Sequence, residues 1–354
     1  MHSFRNIDNY VPLYYEKQGM LKNKLWFEDR ANMDEFTGRR VRGLFKPRRK
    51  EFKSSIDLFC GNHYGEVVGS ELAKKMGMEA CDAELVNVNT EKNKYTRGRI
   101  VFKEGCIVYS KQKRTETLIP GKIVVDKFKT ACPEKYDELA KSKKSDYYIY
   151  SSETEANANN IEIVLAAIEY SMQTEGASSE EIAAARKYML QMVVYDCVFG
   201  NNDRHDENWS LVRDLETGKI KVYPAYDNER VLGLYENHRF ITEAVRRERA
   251  VEASDIALTS RMGIPGMPEK VKYSVLLEYL SEHYPEEMLP VMKQVLERVS
   301  SKDVLEILSA CEGLPIEYIE FGTLMYSERR KTVEKLVQKI EERREQVPVE
   351  EYSL

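Results

Sequence analysis

Residues 200–212 read GNNDRHDENWSLV, a polar loop that joins two segments of regular periodicity. Before the loop, residues 179–199 carry apolar side chains three and four positions apart, which predicts a helix that stops at the glycine opening the loop. After the loop, residues 209–213 and 220–226 have the composition of strands, and turn-forming residues 214–218 lie between them. We therefore predict a helix, a loop and a β-hairpin in that order.

The predicted hairpin brings three polar side chains to one end of its ribbon. In an antiparallel hairpin, the start of the first strand lies beside the end of the second. Asn208 stands just before the first strand, and Asp227 stands just after the second. Asp203 lies in the loop that leads into the same end. The sequence therefore predicts that Asp203, Asn208 and Asp227 converge.

These residue types match the requirements of phosphoryl transfer, which needs a positioned hydroxyl nucleophile and Mg²⁺ held against a triphosphate. Asp203 and Asn208 have the spacing of protein-kinase catalytic loops, in which the Asp accepts the hydroxyl proton and the Asn oxygen binds metal. Asp227 offers a second hard oxygen ligand of the kind that Mg²⁺ prefers. We assign His205 to the nucleotide site as a side chain that braces the loop by hydrogen bonding.

Two other interpretations of the loop stay open. Clusters of Asn, Asp and Gly most often form turns because their side chains cap local backbone, so Asp203 or Asn208 alone would indicate a turn. Clusters of Asp and His also bind catalytic metals, and Asp203, His205, Asp206 and Asn208 are candidates for a hydrolase or nuclease site. The hydrolase interpretation gives no role to the lysine and glutamate of the N-terminal part.

That lysine and glutamate lie on a predicted strand and a predicted helix. Residues 39–46 have strand composition, and residues 64–76 repeat apolar side chains at helical spacing. Lys46 precedes Glu66 by 20 positions, which is the order and approximate spacing of the kinase lysine and its helix glutamate. Glu66 is predicted to face the sheet, where an unpaired carboxylate would be costly. In the alternative, Lys46 is a solvated member of the basic run 46–53.

Composition limits the class of protein. The chain has 54 basic and 59 acidic residues in interspersed runs and a net charge of -5, so no overall field indicates nucleic-acid or membrane binding. Its 6 cysteines include no CxxC pair, which argues against a disulfide framework or a zinc site. No apolar run approaches the roughly 18 residues of a membrane span, and the N-terminus lacks a signal-peptide pattern, so we predict a cytoplasmic protein.

The secondary-structure pattern changes near residue 112, which predicts an α+β, bilobal, protein-kinase-like fold. Residues 1–111 are predicted to be a small β-rich N-lobe that binds nucleotide. Residues 112–354 are predicted to be a larger helical C-lobe with the catalytic loop and hairpin, and ligands tend to bind in the cleft between such lobes. Further predicted strands cover 81–88, 99–102 and 106–110, and further predicted helices cover 134–143, 154–173, 268–284, 286–299, 302–311 and 315–346.

Four motifs carry a resemblance to a known family. They are GNNDRHDENWSLV at 200–212, YPAYDNERVLG at 223–233, GLFKPRR at 43–49 and GEVVGSELAKKMGMEACDAELV at 65–86. In this order they resemble the catalytic domain of the HipA-like serine/threonine kinases of bacteria. The match is to the shorter, CtkA-type relatives that lack an extra N-terminal domain.

The resemblance implies roles for the residues that match. Asp203 would be the catalytic base, and Asn208 and Asp227 would be the Mg²⁺ ligands. Lys46 would contact the ATP phosphates, with Glu66 as its partner. The backbone of Val108, Tyr109 and Ser110 would form the hinge against adenine.

Two departures from the family pattern are visible. Glu229 stands where the family usually has a glycine, two positions after the metal-binding Asp, which raises the question of the backbone conformation after Asp227. No G-x-G-x-x-G motif precedes Lys46, and the nearest glycines before it, Gly38 and Gly43, are isolated, so no phosphate-covering loop is assigned. These departures motivate an alternative, a pseudokinase that binds nucleotide or a partner protein.

The resemblance also implies a function. It predicts an ATP- and Mg²⁺-dependent serine/threonine protein kinase that phosphorylates itself, within a toxin–antitoxin or regulatory system. Ser54 and Ser55 are candidate sites of self-phosphorylation because they lie close to Lys46 in a basic segment. The expected partners are a protein substrate and either an antitoxin or a separate chain that supplies the N-terminal domain; neither membrane nor nucleic acid is expected. A small-molecule or lipid acceptor is also consistent with these parts, because they do not specify the acceptor.

Overall fold

The computed structural model describes residues 1–13, 24–48, 59–88, 104–140, 159–246, 259–265 and 271–346. A six-stranded sheet forms its N-terminal part, in the strand order β1-β5-β6-β4-β3-β2. β1 pairs in parallel with β5, and the other neighbours are antiparallel. The strands are β1 Arg5–Asn6, β2 Val11–Pro12, β3 Leu25–Asp34, β4 Arg39–Pro47, β5 Ala83–Asn87 and β6 Glu104–Tyr109.

β4 presents different chemistry to the two faces of this sheet, because side chains alternate along a strand. Phe45 packs edge-on against Phe27 of β3, with ring centroids 5.8 Å apart, in a buried cluster with Ile107. The next residue, Lys46, is buried on the opposite face. Helix α1, which spans Asn62–Met76, packs against β5 and β6. Lys46 is thereby enclosed between the sheet and α1.

A second, three-stranded sheet contains the predicted hairpin. Its strands are β7 Glu116–Pro120, β8 Ser210–Asp214 and β9 Ile220–Val222, in the order β7-β8-β9. β9 ends four residues earlier than predicted. Ala225 instead exchanges backbone hydrogen bonds with the segment after α1, accepting from Cys81 N at 2.8 Å and donating to Glu79 O at 3.1 Å. This contact joins the end of the hairpin to the N-terminal part of the structure.

The C-terminal part is mainly helical and packs around α5. The buried half of α5 is apolar around most of its circumference, as expected for a helix enclosed by other elements. A capping box between Ser178 and Glu181 begins the helix, and Gly200, with φ of 77°, ends it. The helices are α2 Gly121–Ala131, α3 Pro133–Ala140, α4 Ile161–Thr174, α5 Ser179–Phe199, α6 His238–Arg246, α7 Tyr273–His283, α8 Pro285–Arg298, α9 Ser301–Ser309 and α10 Ile316–Gln346.

Several elements differ from the prediction. β3, β7, α2 and α6 were not predicted. The helix predicted to start at residue 154 starts at Ile161, because Asn160 is extended and its side chain caps the helix by accepting from Ile163 N at 2.9 Å. The predicted strand 99–102 and the two candidate phosphorylation sites, Ser54 and Ser55, lie outside the described residues. None of the helices in the described ranges combines the length and apolar character that crossing a bilayer requires.

Candidate active site

Lys46 lies at the centre of a buried cluster of charges. Its ammonium group donates to Glu66 Oε1 and to Asp227 Oδ1. β4 supplies Lys46, α1 supplies Glu66, and Asp227 follows the hairpin, so three separate segments of the chain meet at this point. The pair of Lys46 and Glu66 that the sequence predicts is present in the structure. Lys46 is not a solvated member of its basic run.

Two more charged groups belong to this cluster. The carboxylates of Glu66, Asp227 and Glu229 have oxygen atoms that all lie within 4.8 Å of one another. Lys24 Nζ lies 3.8 Å from Asp227 Oδ1. Three carboxylates therefore face two ammonium groups. Buried charges cost free energy unless they are paired. The contacts between opposite charges offset part of this cost.

The pKa values of the cluster follow from burial and pairing. Burial alone would lower the pKa of Lys46, but Asp227, Glu66 and Glu229 outweigh it and hold that pKa well above its usual value. Burial would raise the pKa of Asp227, but Lys46 and Lys24 reverse the effect and the pKa is lowered. The pKa of Glu66 is raised by burial, which Lys46 offsets only in part. Lys46 and Asp227 are therefore a charged pair at neutral pH.

Two glycines of α1 let the helix approach the segment that follows Asp227. A Cβ atom at Gly65 would lie 2.1 Å from the carbonyl oxygen of Glu229, and one at Gly69 would lie 2.6 Å from Asn228 Cβ. The close approach allows Asn228 N to donate to Glu66 Oε2 at 3.1 Å. Glu66 is thereby held at both of its oxygen atoms, by Lys46 and by the backbone of Asn228.

The backbone around Asp227 settles the question raised by Glu229. Among the described residues other than glycine, only Asp227 (φ 57°) and Leu232 (φ 54°) have positive φ. The left-handed residue is thus the aspartate itself, and Glu229 needs no glycine-like conformation. Asp227 in this region carries a local conformational cost, which its contacts with Lys46 and Lys24 help to offset.

Arg204 connects the loop that carries Asp203 to the hairpin. Its fully buried guanidinium donates to both carboxylate oxygens of Asp196, at 2.9 and 3.0 Å. It also donates to the carbonyl oxygens of Asn208 and Tyr226, both at 2.7 Å, and to Asn228 Oδ1 at 2.8 Å. Burial would lower the pKa of Arg204, but Asp196 outweighs it and the pKa is raised. One arginine thus fixes the predicted convergence of the loop and the hairpin end.

The carboxylate of Asp203 faces two guanidinium groups. Arg230 Nε lies 3.4 Å from Oδ2, and Arg261 Nη1 lies 3.1 Å from Oδ1. Oδ1 is buried and accepts no hydrogen bond from any described residue. A metal ion at Asp203 would add a further cation beside the two arginines, so the surroundings of Asp203 disfavour the hydrolase interpretation.

Asn208 and His205 shape the loop that carries Asp203. Asn208 Nδ2 donates to the carbonyl oxygen of Asp203 at 2.8 Å. His205 N donates to the same carbonyl oxygen at 2.9 Å, and His205 Nδ1 accepts from Glu207 N at 3.2 Å. These contacts give His205 the bracing position that we predicted, while a contact of its ring with nucleotide stays a prediction.

The donor set fits Mg²⁺ chemically. Asn208 uses its side-chain nitrogen for the loop, which leaves Oδ1 for a metal. Among the described residues, both lysines that contact Asp227 do so at Oδ1, so Oδ2 is the oxygen that remains. Carboxylate and amide oxygens are the ligands that Mg²⁺ prefers. Asn208 and Asp227 would hold the ion, with Glu66 and Glu229 close to Asp227.

The predicted hinge lies at the end of β6 and the residue that follows it. Tyr109 N donates to Asp82 O at 2.8 Å, and Ser110 N donates to Arg42 O at 3.0 Å. Both amide donors are therefore engaged within the chain. The assignment of Val108, Tyr109 and Ser110 to adenine stays a prediction.

Several residues of the site were not predicted from the sequence. Lys24 and Arg261 reach it from segments without a recognisable pattern. Arg204 and Arg230 lie within two of the four motifs, but nothing local marks either as a residue of the site. The glycines Gly65 and Gly69 do leave a signal, because two glycines one turn apart on a predicted helix indicate close backbone approach.

Comparisons with known proteins support the fold. No protein-family model matches the sequence, and no curated protein sequence matches it. Among solved structures, the chain is similar to the proinflammatory kinase CtkA of Helicobacter pylori, with 13% identity, a TM-score of 0.70 and coverage of 96% of this chain and 98% of that chain. It is also similar to HipA of Shewanella oneidensis MR-1, from a complex of a toxin–antitoxin system with HipB and operator DNA, with 12% identity, a TM-score of 0.46 and coverage of 95% and 70%.

The similarity to CtkA extends over nearly all of both chains. It confirms the predicted α+β, kinase-like fold and the predicted structural resemblance to CtkA-type proteins. At this level of identity the similarity concerns the fold, and the chemistry has to be argued from the residues of this chain.

Proposed function

We propose that this protein is an ATP- and Mg²⁺-dependent phosphotransferase that phosphorylates serine or threonine in proteins, itself included. The observation that carries the proposal is the buried contact of Lys46 with both Glu66 and Asp227. A lysine held by a helix glutamate beside a metal-binding aspartate is the arrangement that kinases use to position a triphosphate and its Mg²⁺. Burial of such charges costs free energy and adds little to stability, so a functional role explains the cluster better than a structural one.

Each residue has a role in this proposal. Lys46 binds the nucleotide phosphates, and Glu66 orients it. Asp227 and Asn208 hold Mg²⁺, which when bound neutralises phosphate charge. Asp203 Oδ1, buried without a hydrogen-bond donor among the described residues, accepts the proton of the acceptor hydroxyl.

The cellular setting is part of the same proposal. We expect a cytoplasmic protein within a toxin–antitoxin or regulatory system, with an antitoxin or a separate N-terminal-domain-like chain as partner. The support for this setting is the resemblance of the four motifs.

The direct test is incubation of the purified chain with labelled ATP and Mg²⁺ beside Asp203→Asn and Asp227→Asn variants. Label on the protein itself and in a mixed protein extract is measured. Transfer by the wild type that each substitution reduces by at least about a hundredfold would support the proposal, since each removes a group needed in the transition state. Undiminished transfer by either variant would contradict the role of that residue.

A second candidate function is nucleotide binding without transfer. It is favoured by the two lysines on Asp227 Oδ1 and by Glu229, which crowds the same site with a third carboxylate. A pseudokinase of this kind would bind ATP, measured by calorimetry, and would transfer no label under any metal condition. If the protein neither bound ATP nor transferred label, both candidate functions would be contradicted.

A further inference from the structure

The two arginines on Asp203 leave its surroundings with an excess of positive charge. One carboxylate faces two guanidinium groups, Arg230 and Arg261, at 3.4 and 3.1 Å. A single carboxylate can neutralise the charge of only one guanidinium. The second guanidinium is therefore available to an anion other than Asp203.

The two arginines are held in different ways. Arg230 Nη1 donates to Asn202 Oδ1 at 3.1 Å, and its guanidinium lies 4.0 Å from the centroid of the Tyr235 ring. These two contacts anchor Arg230 independently of Asp203. Its guanidinium therefore stays beside Asp203 Oδ2, at 3.4 Å, although this ion pair also lacks hydrogen-bond geometry.

Arg261 has a fixed backbone and an exchangeable side chain. Its carbonyl oxygen accepts from Asn159 Nδ2 at 2.9 Å. Its side chain is 47% exposed, and its ion pair with Asp203 lacks hydrogen-bond geometry, because Oδ1 accepts no hydrogen bond from the described residues. An ion pair with a half-exposed arginine and no hydrogen-bond geometry contributes little free energy. A better-placed anion can therefore displace Asp203 from Arg261.

We infer that Arg261 is the receptor for an acidic side chain of the acceptor, so that the preferred substrate is a peptide with serine or threonine close to aspartate or glutamate. The inference rests on the proposed function and names its substrate class. Guanidinium pairs with carboxylate through two parallel hydrogen bonds. Binding of the substrate carboxylate would free Asp203 Oδ1 for the acceptor hydroxyl.

The chemical step then balances. The hydroxyl oxygen of the acceptor forms a bond to the γ-phosphorus of ATP while the bond between that phosphorus and the β,γ-bridging oxygen breaks. The hydroxyl proton passes to Asp203 Oδ1, and ADP leaves with the bridging oxygen. Arg261 touches the acceptor and takes no part in the bond changes, so it determines specificity.

The test uses serine peptides that differ at one position, with Asp, Asn or Lys placed in turn at each of the three residues on either side of the serine. With wild type and saturating Mg-ATP, kcat/KM should favour Asp over Asn by about tenfold to a hundredfold at one or more positions, the range of a charge-assisted hydrogen bond. Arg261→Ala should bring this ratio close to one. Arg261→Lys should give an intermediate ratio, and Arg261→Glu should favour the Lys peptide.

Arg343→Ala is the matched control. Arg343 has a similarly exposed side chain, 51% against 47%, and a carboxylate partner, Glu282, at 3.2 Å, but it lies on α10. Its removal should leave the Asp-to-Asn ratio at the wild-type value. A change equal to that of Arg261→Ala would show that the effect is one of overall charge and would overturn the inference.

Other outcomes separate the inference from the proposed function. If wild type gave equal kcat/KM for Asp and Asn peptides, or if Arg261→Ala left the Asp-to-Asn ratio unchanged, Arg261 would not be the receptor for the acidic side chain. The proposed phosphoryl transfer would not be contradicted. If Arg261→Ala raised the KM for ATP equally with every peptide, Arg261 would be assigned to nucleotide binding, and the inference would be overturned. Absence of transfer by wild type to any acceptor would overturn the proposed function, and this inference with it.

Discussion

Lys46 is the residue whose charge maintains the site. Its ammonium group lies between Glu66 and Asp227, and Glu229 is close to both. Without Lys46, three carboxylates would share a buried space with Lys24 as their one remaining ammonium partner among the described residues. Removal of one partner from a buried ion pair is strongly destabilising because it leaves an uncompensated charge.

We therefore expect Lys46→Met to lose phosphoryl transfer and to lower the free energy of unfolding by about 3–5 kcal/mol. Urea unfolding followed by circular dichroism measures the second effect. Phosphoryl transfer from labelled ATP measures the first.

The double variant Lys46→Met/Glu66→Gln separates charge from packing. Removal of one of the uncompensated carboxylates should recover part of the stability that Lys46→Met loses, while transfer stays absent. If the double variant were less stable than Lys46→Met alone, the loss would come from packing, and the charge argument would be wrong.

At the scale of elements, α1 owes its position to glycines that contact the segment after Asp227. In an isolated helix, replacing glycine by alanine stabilises by about 1 kcal/mol. At Gly65 the new Cβ would lie 2.1 Å from Glu229 O, so the sign should reverse. We expect Gly65→Ala to lower both the melting temperature and transfer activity, because Glu66 and Asp227 would separate.

Gly38→Ala is the comparison for Gly65→Ala. Gly38 has φ of 63° but open space where its Cβ would lie, so the substitution should cost roughly 1 kcal/mol of backbone strain. Its transfer activity should match wild type. Loss of activity in both variants to the same degree would indicate that stability alone, and not the contact of α1 with Glu229, limits activity.

The start of α9 predicts a pH dependence. Asp303 Oδ2 accepts from Ser300 N at 2.8 Å, and Asp303 Oδ1 lies 2.9 Å from Lys75 Nζ at the end of α1. The hydrogen bonds from Ser300, followed by that from Lys75, lower the pKa of Asp303 from 3.8 to about 2. The folded state thus binds the proton less readily than the unfolded state. The stabilisation is complete above about pH 4 and is lost as the pH falls toward 2.

Asp303→Asn should accordingly lower the free energy of unfolding by about 1 kcal/mol at pH 7, a typical value for a capping interaction. The difference from wild type should shrink as the pH falls from about 4 toward 2, because the wild-type carboxyl becomes protonated. Glu306→Gln, on the exposed face of the same helix, is the control and should show almost no difference. A constant difference across this range would contradict the role of the charge.

The elements that the sequence predicted are those whose periodicity is local. α1, α5, β4 and the hairpin have apolar spacing or turn chemistry that is visible within one segment. β3 was missed because, in its sequence LWFEDRANMD, the segment after the first three residues is mostly polar. Its register along β4 also shifts between Glu28 and Met33, so the pairing depends on a partner strand.

The same distinction applies to the residues of the site. Asp203, Asn208 and Asp227 could be proposed from the sequence because a hairpin brings its two ends together over a short stretch of chain. Arg261 lies 58 positions after Asp203, and no local pattern relates the two. Residues that meet through tertiary packing alone require the structure.

At the scale of the whole molecule, the site joins parts that are distant in the chain. β4 and α1 carry Lys46 and Glu66, while Asp227 follows a hairpin that packs in the C-terminal part. The backbone contacts of Ala225 with the segment after α1 hold these parts together beside the site. A ligand that contacts Lys46 and Asp227 together should therefore stabilise the complete fold.

We expect Mg-ATP to raise the melting temperature of the wild type as a single transition. At a concentration of 100 times Kd, binding adds about 2.7 kcal/mol, which corresponds to roughly 4 °C for a chain of this size. Scanning calorimetry with Mg²⁺ alone, ATP alone and both together measures the shift.

Because Asp227 is assigned to the ion and Lys46 to the phosphates, Asp227→Asn should retain some of the response to ATP alone and lose the further increase with Mg²⁺. An equal shift in wild type and Asp227→Asn with Mg-ATP would place the metal elsewhere, and two separate transitions would show that the parts do not unfold as one unit.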